Sequence, residues 1–137
     1  MNYPGRLNDM EMEYIILIAD RNPRIRDFVQ RELRGEGHRV YAAENADQLR
    51  NWIHRPARLD ALVIDPDMPG LEDATLFGQM LAERPALAVI FHCLVCDISS
   101  AQTPGRAVAF IEKSGQSVDL LKQKIRSILS EQGAAKA

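Results

Sequence analysis

Long hydrophobic runs are missing from this sequence. Its longest apolar stretches are five or six residues, far below the roughly 20 that a membrane-crossing helix needs. Cysteine is scarce as well: two in 137 residues cannot build a disulfide framework, so free thiols in a reducing, cytoplasmic setting are expected. An excess of either charge is also lacking. A net charge of −2 gives no electrostatic case for nucleic acid or an anionic membrane as partner. The opening stretch MNYPGRLNDMEME has no apolar centre and no cleavage pattern, so no signal peptide is expected. There are no internal repeats or low-complexity segments. What remains is an ordinary globular composition, 46% apolar and 26% charged, at a length that suits one domain.

Short apolar runs alternate with helical patterns along the chain. Residues 14–19 (YIILIA) read as a strand buried on both faces. Asn22-Pro23 then supplies an N-cap and a first-turn proline. Ile25, Phe28, Val29 and Leu33 follow at helical spacing, and Gly35 and Gly37 close that helix. Residues 39–43 form a brief strand. Asn45 caps a second helix with Ala46, Leu49, Trp52 and Ile53 inward, stopped by Pro56. Residues 59–64 form a third strand that delivers Asp65. A third helix is expected over 72–83, with Ala74, Phe77, Met80 and Leu81 inward, and a fourth strand over 87–91. Residues 97–106 carry Ser-Ser and Thr-Pro-Gly, which allow at most a short, irregular fourth helix. A fifth strand spans 107–111. Ser117 caps a last helix with Val118, Leu121, Ile125, Ile128 and Leu129 inward. Residues 1–13 and 132–137 read as loose tails around a domain over 14–131.

Five strands alternating with helices predict an α/β fold, a parallel sheet covered on both faces. Such sheets bind ligands outside the carboxyl ends of their strands. Asp20 ends the first strand and Asp65 the third, while Cys93 and Lys113 follow the fourth and fifth. Four polar side chains therefore converge on one edge, and that edge is the candidate site. Asp65 opens the stretch Asp65-Pro66-Asp67-Met68-Pro69-Gly70, an acid at a strand end followed by a second acid and a stiff turn.

These residues resemble the receiver domain of two-component response regulators, over roughly 14–129. ILIADRNP is similar to the family's first strand and helix start, VIDPDMPG to its third-strand turn, and AFIEKS to its fifth-strand end. The resemblance implies a flavodoxin-like, doubly wound, five-stranded sheet of order 2-1-3-4-5 with five helices. It implies that Asp65 accepts a phosphoryl group from a histidine kinase or phosphotransfer protein and signals to a downstream protein by changing conformation. Such a chain is a switch and is not expected to be an enzyme. A carboxylate is a competent nucleophile for this chemistry, and the rest of phosphoryl transfer is positioning and charge neutralisation. The resemblance further implies Mg²⁺ on Asp20, Asp65 and the backbone carbonyl of Asp67, with Lys113 on the phosphoryl oxygens.

Several positions depart from the family. The second acid of its acidic pair is Arg21 here. Two unit charges about 5 Å apart interact by roughly 3 kcal/mol at an effective dielectric near 20. A cation in place of a ligand anion is thus expected to weaken Mg²⁺ by on the order of two decades, or to exclude it. Arg21 then lies against Asp65 as a built-in counter-ion or swings to solvent. The family's Ser/Thr is Cys93, a poor hydrogen-bond donor. Its Lys-Pro pair is Lys113-Ser114, for which a trans bond is expected. Asp73 stands where glycine is usual, and Phe110 keeps the aromatic position of the fifth strand.

Other readings compete. A pseudo-receiver that keeps the fold and works as a phosphorylation-independent interaction module is favoured by Arg21, Cys93 and Ser114, and opposed by Asp20, Asp65 and Lys113. Asp65-x-Asp67 also resembles the motif of haloacid-dehalogenase-type phosphatases, but that family carries it on the first strand. Cys93-x-x-Cys96 next to His92 lacks a second ligand pair for zinc and a following helix for redox work. Trp52, Met68 and Met80 read as core, and the three histidines as structural.

Overall fold

The computed structural model describes residues 13–94 and 108–136, with side chains through residue 130. In chain order the elements are β1 (Ile15–Ala19), α1 (Pro23–Gly35), β2 (Arg39–Ala43), α2 (Ala46–His54) and β3 (Ala61–Ile64). They continue with α3 (Ala74–Ala82), β4 (Ala88–Cys93), β5 (Val108–Glu112) and α4 (Ser117–Lys136). All neighbouring strands pair in parallel in the order β2-β1-β3-β4-β5. This is the expected order.

The period-2 alternation of the strands divides the core into two layers. Leu17, Leu62, Ile64, Val89 and Phe91 face α2 and α3, meeting Leu49, Ile53, Met80 and Leu81. Ile16, Ile18, Val63 and Ile90 face α1 and α4, meeting Val29, Leu33, Leu121 and Ile125. Every residue of β3 and β4 is buried, as continuous apolar strands in the middle of a two-sided sheet should be. Met68 and Met80 are core, and Trp52 packs against it from the edge.

Helix starts follow the sequence closely. The Asn22 side chain accepts from the Arg24 and Ile25 amides, and the Asn45 side chain accepts from Gln48. The third helix starts at Ala74 rather than 72, because the Asp73 carboxylate serves as its N-cap and accepts from Thr75 and Leu76. The last helix continues through Lys136 and corrects the expected tail over 132–137. Ala134, Ala135 and Lys136 are strong helix formers that carry it past Gly133. Four helices lie among the described residues; the expected short fourth helix at 97–106 lies outside them.

Sequence periodicity gave no warning of Arg84. Its guanidinium donates to the carbonyls of Ile53 at 2.8 Å and Ala57 at 2.6 Å, and also to those of Trp52 and Arg55. It thereby closes the C-terminal end of α2, where Arg55 is extended and no glycine is available.

The turn after β3 ends at Gly70, whose φ of +97° lies in the left-handed region. A Cβ there would sit 2.6 Å from the Ala46 Cβ. Gly70→Ala should therefore cost about 1–3 kcal/mol of unfolding free energy, from strain and contact together. A urea midpoint unchanged by the substitution would contradict this.

His92 is buried on β4, with Nε2 3.0 Å from Ser117 Oγ. That hydroxyl donates to the Ser114 carbonyl at 2.9 Å, so it accepts from a neutral, Nε2-protonated imidazole. Burial first, and then the Lys113 ammonium, push the His92 pKa down to about 4, against the opposing pull of Asp20 and Asp65. The unfolded chain thus binds more protons between roughly pH 6.5 and pH 4. Stability from this source is complete above the unfolded pKa and falls as pH drops through that window, by up to about 3 kcal/mol. Chemical denaturation at about pH 7 and about pH 4.5 should show a shallower acid-side loss for His92→Gln than for wild type. Equal losses would show that His92 is not the group responsible.

Candidate functional site

The parallel order places the carboxyl ends of β1, β3, β4 and β5 along one edge, with β1 and β3 adjacent. Asp20 follows β1 directly, and Asp65 follows β3. Both are buried, at 2% and 1% exposure. Their backbones are tied to the neighbouring strands: the Asp65 amide donates to Ala19 O at 2.8 Å, and the Asp20 amide to Ala43 O at 3.3 Å. Lys113 follows β5, its amide donating to Cys93 O at 2.7 Å.

Lys113 reaches across β4 to the acids. Its Nζ lies 3.0 Å from Asp20 Oδ2 and 3.5 Å from Asp65 Oδ2, with a nearly buried side chain. Asp20 Oδ1 accepts from the Asn22 amide at 2.9 Å, just before α1 begins. Asp65 Oδ1 accepts from the Asp67 amide at 3.0 Å, which fixes the turn that starts with Pro66. The Gly70 amide donates to the Glu72 carboxylate and holds the far end of that turn. The two oxygens of Asp65 are therefore unlike. Oδ1 is tied to the backbone; Oδ2 is buried and receives no well-aligned hydrogen bond among the described residues. The cations around Oδ2 act on it through charge.

Arg21 is the second of those cations. Its Nε stands 3.3 Å from Asp65 Oδ2, and its Nη1 donates to the Asp67 carbonyl at 3.2 Å. Of the two positions the sequence allowed for it, the structure has the counter-ion. Its side chain is 45% exposed, so the guanidinium covers the acids from the solvent side.

The family's Mg²⁺ does not fit the site in this arrangement. The Asp67 carbonyl and Asp65 Oδ2 are both engaged by Arg21, and Asp20 Oδ2 is engaged by Lys113. No group of three or more His, Cys, Asp or Glu residues poised to hold a metal occurs among the described residues.

Cys93 is buried at the end of β4 and is disulfide-bonded, which corrects the expectation of a free thiol. The sequence contains one other cysteine, Cys96, which lies outside the described residues. Position 93 thus carries no S–H donor. The described residues contain no cis peptide bond, as expected for Lys113-Ser114.

One supporting residue was missed. Arg26 is buried and donates to the Asp20 carbonyl at 2.8 Å, while its other nitrogen pairs with Glu44 at 3.3 Å. The signal was present in the spacing. Position 26 falls on the same helical stripe as Val29 and Leu33, where a charge needs a buried partner. The histidines are structural, as expected: His38 Nδ1 accepts from the Tyr14 amide, and His54 pairs with Glu83.

No helix among the described residues is long and apolar enough to cross a membrane. A search of curated proteins finds no match. Among solved structures, a CheY-like response regulator receiver domain protein from Methanospirillum hungatei JF-1 is similar. It has a TM-score of 0.77 at 25% identity, over 90% of this chain and 99% of that one. The response regulator TrrA of Thermotoga maritima, solved in complex with Mg²⁺-BeF, is similar with a TM-score of 0.69 at 25% identity, over 84% of this chain and 98% of that one. The family profile of the response regulator receiver domain matches residues 16–126, which include Asp20, Asp65, Cys93 and Lys113. With that match spanning most of the chain, the protein belongs to the response regulator receiver domain family.

Proposed function

We propose that this receiver domain accepts a phosphoryl group on Asp65 from a histidine kinase or phosphotransfer protein and passes the signal to a downstream protein, acting as a switch rather than an enzyme. The observation that carries this reading is the asymmetry of the Asp65 carboxylate. Oδ1 is held by the Asp67 amide, while Oδ2 keeps its lone pairs free of hydrogen bonds. A nucleophile needs both properties, a fixed orientation and an uncommitted electron pair. In the transfer, Oδ2 attacks the phosphorus of a phosphohistidine. The new O–P bond forms as the N–P bond breaks, and the imidazole nitrogen leaves with the electron pair. Lys113, already 3.5 Å from Oδ2, is positioned to meet the extra negative charge on the phosphoryl oxygens. Arg21 must swing outward to admit the group, and its partial exposure leaves it room to do so.

The second reading is the pseudo-receiver, and one observation favours it. Arg21 stands directly on Asp65 and Asp67, closing the nucleophile from solvent in the resting chain. The two readings separate on one measurement. The intact chain is incubated with acetyl phosphate or phosphoramidate and weighed by mass spectrometry. One added phosphoryl group is expected, absent from Asp65→Asn and formed about a hundredfold more slowly in Lys113→Ala. An unmodified wild-type chain, or a label that persists in Asp65→Asn, rejects phosphoryl acceptance at Asp65.

A further inference from the structure

Arg21 occupies more than a vacancy left by a missing acid. Its guanidinium joins Asp65 Oδ2 and the Asp67 carbonyl, two oxygens that the receiver family lends to its metal. One planar fork reaches both: Nε lies 3.3 Å from Asp65 Oδ2 as an ion pair without an aligned hydrogen bond, and Nη1 donates to the Asp67 carbonyl at 3.2 Å. The turn keeps them together, because the Asp67 amide is tied back to Asp65 Oδ1.

The formal charges agree with this. The edge carries two buried carboxylates, Asp20 and Asp65, and two cations, the nearly buried Lys113 and the half-exposed Arg21. The cluster is neutral as it stands. A divalent ion entering beside Arg21 would leave an excess of two positive charges against the two buried carboxylates, so the ion and the guanidinium compete for the same oxygens.

We propose that the Arg21 guanidinium is the resident cation of this site and replaces the divalent metal, so that the site meets a phosphoryl group with Arg21 and Lys113 alone. Arginine suits the task because its fork matches phosphoryl oxygens and it stays charged at any physiological pH. After release from Asp65 Oδ2, the same guanidinium can pair with an oxygen of the incoming group. The part of the proposal that concerns the incoming group rests on the phosphoacceptor reading; the exclusion of metal does not.

The test is a calorimetric titration of MgCl₂ into the full-length wild type, Arg21→Asp and Arg21→Gln, paired with melting curves. Arg21→Asp restores a second acid beside Asp20 and should bind Mg²⁺ at least about tenfold more tightly than wild type, with a larger rise in melting temperature. Asp65→Asn added to Arg21→Asp should remove most of that gain. If Arg21→Asp does not fold, Arg21→Gln decides, since it removes the cation, keeps a polar though shorter side chain and should also gain about tenfold. A gain below about tenfold in the folded variant overturns the proposal, as does a gain that survives loss of Asp65. Phosphoryl labelling of wild type should be equally fast in EDTA and in Mg²⁺. Collapse of that labelling in EDTA also overturns it. If wild type takes no label under either condition, the phosphoacceptor reading fails, and the Mg²⁺ titrations still decide the role of Arg21.

Discussion

Two buried carboxylates at the edge of an apolar sheet must be neutralised, and the architecture around the site follows from that requirement. Ionised acids exposed at 1–2% cannot rely on water. Adjacent parallel strands β1 and β3 bring Asp20 and Asp65 side by side, so each one's charge worsens the other's burial. The compensating lysine comes from β5, two strands from β3, a span of about 10 Å between strand axes. Only a long side chain covers that distance, and Lys113 lies nearly buried along its path. The second cation comes from the residue next to Asp20 itself. One acid is thus inseparable from the cation that serves the other.

The backbone frame supports this pairing from behind. Arg26 from α1 holds the Asp20 carbonyl and pairs with Glu44, just past the end of β2. Asn22 caps α1, and its own amide donates to the Asp20 carboxylate, so the start of α1 and the position of the acid are fixed by the same few residues. Small displacements of Asp20 therefore meet resistance from a helix, a neighbouring strand end and a lysine at once.

Much of this was legible in the sequence for local reasons. Asn22-Pro23 and Asn45 act within their own turns, and continuous apolar runs identify the central strands without knowledge of their partners. Asp20, Asp65 and Lys113 were found because strand ends in a parallel sheet share an edge. What stayed hidden is non-local. The side chain of Arg21 had two chemically sensible destinations, and only the placement of the Asp67 carbonyl 46 positions later distinguishes them. The disulfide-bonded state of Cys93 is a pairing that no strand pattern encodes. The end of the last helix was misjudged because residues near a chain end were read as a loose tail, although their composition favours helix.

Arg84 has a consequence for the order in which the chain acquires its structure during synthesis. The carbonyls of Trp52, Ile53, Arg55 and Ala57 find their donor in a guanidinium 27 to 32 residues downstream. A ribosome that has released only the first half of the domain has therefore emitted a second helix whose last turn is open to water and free to fray. That turn locks when the connection between α3 and β4 arrives. The seam between the early and late halves of the nascent chain is thus closed by one arginine, at the end of the sheet farthest from the acids.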